Sequence, residues 1–461
     1  MEEAKIPTPV NPEVSPKVLI VGGGFGGLNA AKILSQRAGI KAGVEILMVD
    51  RRNHHLFQPL LYQVAMAALS PADIAVPIRS ILSGRPNVRV VMAEVSDIDF
   101  KNRTAQIGPK SESYDFLILA CGARHSYFGH DEWELDAPGL KTLEQATEIR
   151  RRVLSAYEEA EAETNVERQR ELLTFVVIGG GPTGVELAGA LAEISRSTLS
   201  RDFRNIDPRR TRIILIEAGP RLLAGFEPEL SVRAARDLEQ MGVQIWTSSR
   251  VSHVDRQGVQ LGSERIRAAT VLWAAGVQPS SLNKRLQSEI GATLDRTGRV
   301  VVGEDLSLSA IGHPELFVIG DQACFIDPAT GRALPGLAPI AIQQGRKTAE
   351  NILKTLLRKS RTPFCYLDKG QMATIGKRRA VAQVGRLKFA GLLAWIAWLF
   401  IHIYYLVGFK NRVLVLYQWA WNYMTSKRGA RLIVPDFYGN TCKAQKESQS
   451  FSSKSSKTSQ G

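Results

Sequence analysis

Cysteine is scarce in this chain. Its 461 residues include four, Cys121, Cys324, Cys365 and Cys442. None is paired as CxxC and none has metal-ligand spacing, which excludes a dithiol redox centre and a Cys/His metal site. Reduced thiols are the simplest reading. Cys121 and Cys324 lie near the glycine motifs described below, as packed thiols or as neighbours of a cofactor. Acidic residues are nearly missing from the C-terminal part. From Lys369 onward there are 15 Lys/Arg and 2 Asp/Glu, so +13 of the net +14 lies there. The preceding residues are close to neutral, which is not the pattern of a nucleic-acid-binding protein. A basic segment interleaved with Trp, Tyr and Leu suits an anionic membrane surface instead. The N-terminal stretch MEEAKIPTPVNPEVSPK lacks an apolar run and carries four prolines. Residues 1–16 therefore read as a flexible arm and not as a secretory signal. The Ser/Lys-rich end, 443–461, lacks core-forming residues and reads as disordered.

What is present is a repeat. KVLIVGGGFGGLNAAKIL is followed by VEILMVDRR, VRVVMAEVSDIDF and DFLILACGA. FVVIGGGPTGVELAGALAEI is followed by TRIILIEAGPRLL, VQIWTSSRVSHVD and TVLWAAGVQP. Each copy predicts a βαβ unit and a crossover back to its sheet, hence parallel strands covered on both faces. The fold class is α/β, with two Rossmann-like dinucleotide-binding domains. A lone strand, LFVIGD, follows the second copy without a glycine turn of its own. It is expected to return to the first sheet, which makes the second domain an insertion in the first. The expected division is 17–140 with 305–368, then 141–304, then a C-terminal region over 369–442.

In the first copy Gly22, Gly24 and Gly27 follow the strand Val18–Val21 and open a helix, with Gly26 in the same turn. Gly22 permits the tight turn, Gly24 admits a pyrophosphate, and Gly27 lets helix and strand pack. Asp50 ends the next strand, beside Arg51, where a carboxylate accepts from ribose hydroxyls. In the second copy these places belong to Gly179, Gly181, Gly184 and Glu217. One such motif is a weak signal; two, each with its strand and its acid, are a strong one. Glu217 favours a free ribose 2′-hydroxyl, hence NADH over NADPH, with Arg221 as the competing feature. Ala120 and Gly122 form a small turn in the first half, as do Ala275 and Gly276 in the second. The backbone at Ala93 and Val95 is expected to line an adenine.

These residues resemble the two-dinucleotide-binding-domain flavoprotein reductases. The resemblance implies FAD in the first site, the nicotinamide in the second, and Asp321 of Gly320-Asp321 at the ribityl chain. Four stretches narrow it: VDRRNHHLFQPLLYQVA, GPTGVELAGALAE, LPGLAPIAIQQG, and GRLKFAGLLAW through LYQWAWNYMTSKRGARLI. They are similar to the type II, non-pumping NADH:quinone oxidoreductases. That family implies hydride transfer from NADH to FAD, then two-electron reduction of a quinone (ubiquinone or menaquinone) without proton pumping. It further implies monotopic attachment at the cytoplasmic face of the inner membrane, and it admits a homodimer. By the same resemblance Glu186 stabilises the nicotinamide and joins a proton relay; the alternative is a carboxylate serving the helix dipole. The family's Ala-Gln-x-Ala-x-Gln is altered here, because Pro339 follows Ala338. Gln343 and Gln344 are then the candidates for a quinone head-group, or ordinary helix residues. Lys377 and Lys388 are candidates for the quinone path, or surface lysines. His54 and His55 read as loop structure near the flavin. A soluble ferredoxin or rubredoxin reductase shares both glycine sites but needs no aromatic C terminus. A slowly turning over NADH-binding flavoprotein of the apoptosis-inducing type is the second rival.

Residues 389–409, FAGLLAWIAWLFIHIYYLVGF, are 21 residues without charge, long enough to span a bilayer. Interfacial attachment is nevertheless the expectation. Cations flank both ends equally and give no orientation, and Trp395, Trp398, Tyr404 and Tyr405 interrupt the run. A second aromatic segment, RVLVLYQWAWNYM, follows with Lys427, Arg428 and Arg431 beside it. Two helices lying in the interface would bury apolar faces and let a quinone arrive from the lipid.

Overall fold

The computed structural model describes residues 15–425 and 428–434. Residues 1–14 of the arm expected over 1–16, the tail expected over 443–461, Lys427 and Cys442 lie outside them.

The strand Lys17–Val21 is apolar on both faces, which suits a strand covered by helices on both sides. It runs parallel to Glu45–Asp50 on one side and Phe116–Leu119 on the other. Val88–Met92 extends the first side. His313–Val318 extends the second, with Leu316 opposite Leu117. The late strand therefore returns to the first sheet, as the sequence predicts. Short Ser307–Leu308 closes this edge antiparallel, which makes six strands. The second sheet is parallel throughout. Thr174–Ile178 lies between Arg212–Ile216 and Thr270–Trp273, with Val243–Trp246 beyond.

Each half also carries a three-stranded antiparallel meander, over 95–113 and over 253–267. The βαβ pattern of the sequence does not by itself predict these meanders. Where the chain crosses between the halves, Ala123–His125 pairs antiparallel with Val277–Pro279, so the two crossings brace each other.

The helices Phe25–Leu34 and Ala338–Leu356 meet backbone to backbone. A Cβ on Gly345 would collide with the Gly26 carbonyl, so Gly345 cannot grow a side chain. A third antiparallel sheet, Gln371–Gly376, Arg379–Val384 and Leu387–Ala390, packs on the helix Pro182–Glu193. There a Cβ on Gly189 would collide with the Ile375 carbonyl.

Two helices follow, Leu392–Tyr405 and Phe409–Thr425. The long uncharged run is thus divided. Phe389 and Ala390 end a strand, and Gly391 (φ +73°) and Gly408 (φ +90°) turn the chain. The first helix has 14 residues, about 21 Å of rise against the roughly 30 Å hydrocarbon layer. Among the described residues no helix is long and apolar enough to cross a membrane. One face of the pair packs inward through Trp398, Leu406, Val415 and Trp419, all buried. The other exposes Leu393, Phe400, Tyr404, Phe409 and Met424.

Candidate active site

The two glycine turns repeat each other in detail. Gly22 and Gly179 have φ of +107° and +109°, a left-handed region where a side chain is strained. A Cβ on Gly22 would strike the Ala120 backbone, and one on Gly179 the Ala274–Ala275 backbone. A Cβ on Gly27 would collide with the Gly22 carbonyl, and on Gly184 with the Gly179 carbonyl. At Gly24 and Gly181 nothing lies within 4 Å, so the first turn of each helix faces open space. This is the shape that admits a pyrophosphate against backbone N–H groups.

The acids brace the same turns. Gly23 N donates to Asp50 Oδ2 (2.6 Å) and Arg52 N to Asp50 Oδ1 (2.7 Å). Gly180 N donates to Glu217 Oε2 (2.5 Å) and Gly219 N to Glu217 Oε1 (2.6 Å). Each carboxylate is thereby fixed with lone pairs left for a ribose. Arg221 is committed elsewhere. Its guanidinium donates to the Phe226 and Ala224 carbonyls and to Ser231 Oγ, all at 2.7–2.8 Å. It does not supply a 2′-phosphate contact, which removes the competing feature to NADH.

One cavity of about 1240 Å³ joins the halves. Gly22, Gly24, Gly26, Asp50, Arg51, Ala93, Val95, Ala120, Gly122 and Asp321 line it. So do Pro182, Thr183 and Glu186 from the tip of the second glycine helix, and Ile401, His402 and Tyr405 from the first C-terminal helix. The structure therefore brings the first-half residues together with Glu186. Gly179, Gly181, Gly184, Glu217, Ala275 and Gly276 build the second turn and its surroundings and do not line this cavity.

Glu186 is the one strongly perturbed acid here. Burial pushes its carboxyl up to about 8, opposed by a backbone hydrogen bond from Thr374. Burial also drives His55 down to about 4, so it is neutral. His55 Nδ1 lies 3.0 Å from the Gly23 carbonyl and its ring meets Phe25 edge-on, a structural role as expected. His54 lines the cavity, and its Nε2 has no partner. Cys121 also lines it, but burial pushes its thiol up to about 12, too high for a reactive thiolate.

The four quinone-site candidates, Gln343, Gln344, Lys377 and Lys388, also lie off this cavity. Gln344 is buried and its Oε1 accepts from Gly320 N (2.7 Å), so it braces the Gly320–Asp321 turn. Gln343 clamps the Leu367 backbone, donating to its carbonyl and accepting from its N–H, both at 3.0 Å. On that helix Ala338, Pro339, Ala341 and Ile342 face the cavity instead. Lys388 reaches Glu227 and Glu229 at 3.5 and 3.7 Å. Lys377 Nζ donates to the Tyr423 carbonyl (2.6 Å) and sits over the Tyr423 ring. It lines a second, smaller cavity.

Sequence reasoning missed the contacts that cross between elements. Lys141 Nζ lies 3.4 Å from Asp321 Oδ2 at the cavity wall. Gln322 is fully buried, accepts from Cys121 N (3.0 Å) and donates to Asn283 Oδ1 (2.7 Å). Glu193 pairs with Arg428 at 3.0 Å. Glu193 had a signal in the sequence, since it lies seven residues, two helical turns, beyond Glu186.

The chain matches the pyridine nucleotide-disulphide oxidoreductase family over residues 16–345 and the NDH2 C-terminal domain over 369–428. It is 44% identical over 432 residues to the type II NADH:quinone oxidoreductase NdhA of Mycobacterium tuberculosis, covering 90% of this chain and 89% of that one. The type II enzyme Ndh of the same organism is 42% identical, with the same coverage. The type II enzyme of Staphylococcus aureus is 29% identical over 81% of this chain and 91% of its own. Among solved structures, NDH2 from Plasmodium falciparum in complex with NADH superposes with a TM-score of 0.81 at 18% identity. The match covers 92% of this chain and all of that one. With its paired glycine turns, its absent dithiol and its aromatic C-terminal helices, the chain belongs to the type II NADH:quinone oxidoreductases, FAD-containing enzymes that oxidise NADH and reduce a quinone without pumping protons.

Proposed function

We propose that NADH oxidation and quinone reduction share the large cavity, with the quinone entering beside the first C-terminal helix. The carrying observation is continuity. One cavity joins the first glycine turn, the tip of the second glycine helix, and Ile401, His402 and Tyr405. The first turn fits FAD, because Gly24 leaves its helix N-terminus open to the cavity and Asp50 stands fixed beside it. Bound FAD supplies the two-electron carrier between nicotinamide and quinone.

The chain's own residues hold and orient the ligands. Gly22, Gly24 and Gly26 cradle the FAD pyrophosphate, Asp50 takes a ribose, and Arg51, Val95, Ala120 and Gly122 wall the site. Asp321 is presented by a turn that Gln344 braces. Gly179, Gly181, Gly184 and Glu217 do the same for NADH, with Ala275 and Gly276 passing the nicotinamide. Glu186 holds a proton at neutral pH and is placed to hand it to the quinone oxygen.

Attachment to an anionic membrane follows from the outward face. Leu393, Phe400, Phe409 and Met424 are exposed, and Arg386 and Lys410 are exposed in the same C-terminal region. Apolar side chains would enter the acyl boundary while cations meet headgroups. The basic balance favours the anionic cytoplasmic leaflet. A homodimer is compatible with this arrangement, and sedimentation tests it.

Ile401→Trp tests the entrance. It should slow the return of flavin absorbance on adding quinone and leave bleaching by NADH at its normal rate. An unchanged quinone step would reject entry at this mouth.

A further inference from the structure

Directly after the crossing strand Ala123–His125, residues Tyr127–His130 make a tight turn. His130 N closes it by donating to the Tyr127 carbonyl (3.1 Å). Both central residues have positive φ, Phe128 at +53° and Gly129 at +97°. Turns with two such residues favour Gly, Asn or Asp at these places. A phenylalanine there is strained, because its Cβ crowds the backbone.

The fold gains little from the Phe128 ring in return. Phe128 is 68% exposed. Its neighbour Tyr127 is buried and anchors the turn, its hydroxyl donating to the Ala137 carbonyl (2.9 Å). The Phe128 ring lies instead on bare backbone at Gly276. A Cβ on Gly276 would stand 2.6 Å from Phe128 Cζ, and the three atoms nearest to that point all belong to this ring. Val277, 50% exposed, adds a second open apolar side chain next to it.

Gly276 is where a substrate would pass. It directly follows Ala274–Ala275, the backbone against which the second glycine turn packs at Gly179. A dinucleotide that runs from Glu217 along that turn to the large cavity, where Pro182 and Glu186 stand, goes by Gly276. A bulky residue held in strained backbone, with an open apolar ring beside a substrate path, is a feature whose gain comes with the ligand.

We propose that Phe128 is an aromatic clamp of the NADH site, its ring packing over Gly276 against the nicotinamide-riboside half of the substrate. The inference rests on the reading that Ala275 and Gly276 pass the nicotinamide. The ring exchanges no proton or electron; it holds the substrate by contact area.

Phe128→Gly tests it in the FAD-loaded enzyme, because glycine accepts the positive φ and the turn keeps its anchor at Tyr127. Its melting temperature should stay close to the parent's. Calorimetric titration with NAD⁺ and with AMP reads binding without turnover. Stopped-flow bleaching at varied NADH concentration separates the Kd from the limiting rate. Phe128→Gly should weaken NAD⁺ and NADH about tenfold. It should leave AMP unchanged, since AMP carries no nicotinamide riboside. Phe128→Tyr keeps the ring and should bind as the parent does. Parent-like NAD⁺ and NADH affinity in Phe128→Gly would overturn the proposal. An equal loss for AMP would overturn it too, as a general disturbance of the site. Adding Gly276→Ala to Phe128→Gly, where no ring meets the new methyl, separates the clamp from the reading beneath it. If Phe128→Gly binds NADH as the parent does and only the double variant binds it weakly, the passage at Gly276 stands and the clamp falls. If both bind as the parent does, the passage falls as well.

Discussion

Arg428 Nη2 lies 3.0 Å from Glu193 Oε2, which ties the chain beyond the last helix to the end of the second glycine helix. The Arg428 side chain is 9% exposed, and it also donates to the Met66 carbonyl at 2.7 Å. The C-terminal helical region is therefore fastened to the second dinucleotide-binding half by charge as well as by packed rings. Removing one partner would leave the other desolvated and unpaired.

Arg428→Ala should consequently cost about 1–3 kcal/mol of stability, since the pair is partly open on the Glu193 side. Urea denaturation measures it. Replacing both partners with leucine should cost less than Arg428→Ala alone, because no unpaired carboxylate remains.

The two faces of the C-terminal helices should respond oppositely. Trp398 is buried against Trp419, His402 and Tyr62, with ring centroids 5.5, 4.2 and 6.5 Å away. Trp398→Ala should cost about 3–5 kcal/mol. Phe400 is 73% exposed. Phe400→Ser should leave the melting temperature unchanged and weaken sedimentation with anionic vesicles, which a co-pelleting assay reads.

Glu217 should control the nicotinamide. Its carboxylate is fixed by two backbone N–H groups, while Arg221 is turned onto carbonyls. Glu217→Ala should lower kcat/KM for NADH by about 10–100-fold, the range for a lost charged hydrogen bond. It should narrow the NADH/NADPH ratio without making NADPH the better substrate, because no free guanidinium is supplied at that position.

Much of this was legible in the sequence, and the parts that were not share a cause. The glycine spacings, Asp50, Glu217 and the returning strand are local patterns, and the structure realises them as backbone turns. Gln343 and Gln344 looked like ligands because their partners, Leu367 and Gly320, are 24 residues away in opposite directions. The division of the uncharged run at Gly391 and Gly408 depends on a strand that pairs Leu387–Ala390 with Arg379–Val384. Hydropathy alone does not report pairing. The small cavity is assembled from five separate stretches of chain, and only the Glu186–Glu193 spacing hinted at it.

The pH dependence follows from Glu186. Its folded-state carboxyl is raised to about 8 from the ordinary 4.5. Folding therefore favours the protonated form. The group is neutral to stability well below pH 4.5, costs increasingly as pH rises toward 8, and costs its full amount above that. Glu186→Gln should gain stability over the parent enzyme as pH rises from 5 to 9, by at most about 4 kcal/mol. Thermal melts across that range measure the gain.

In the proposed function one cavity takes electrons from NADH and delivers them, with a proton held at Glu186, to a quinone. Stopped-flow spectroscopy of the purified yellow enzyme tests it most directly. NADH should bleach the flavin in the parent and in Glu186→Gln. Quinone should restore the colour quickly in the parent, more slowly above pH 8, and slowly at every pH in the variant. Fast and pH-independent restoration in Glu186→Gln would show that Glu186 does not supply the proton.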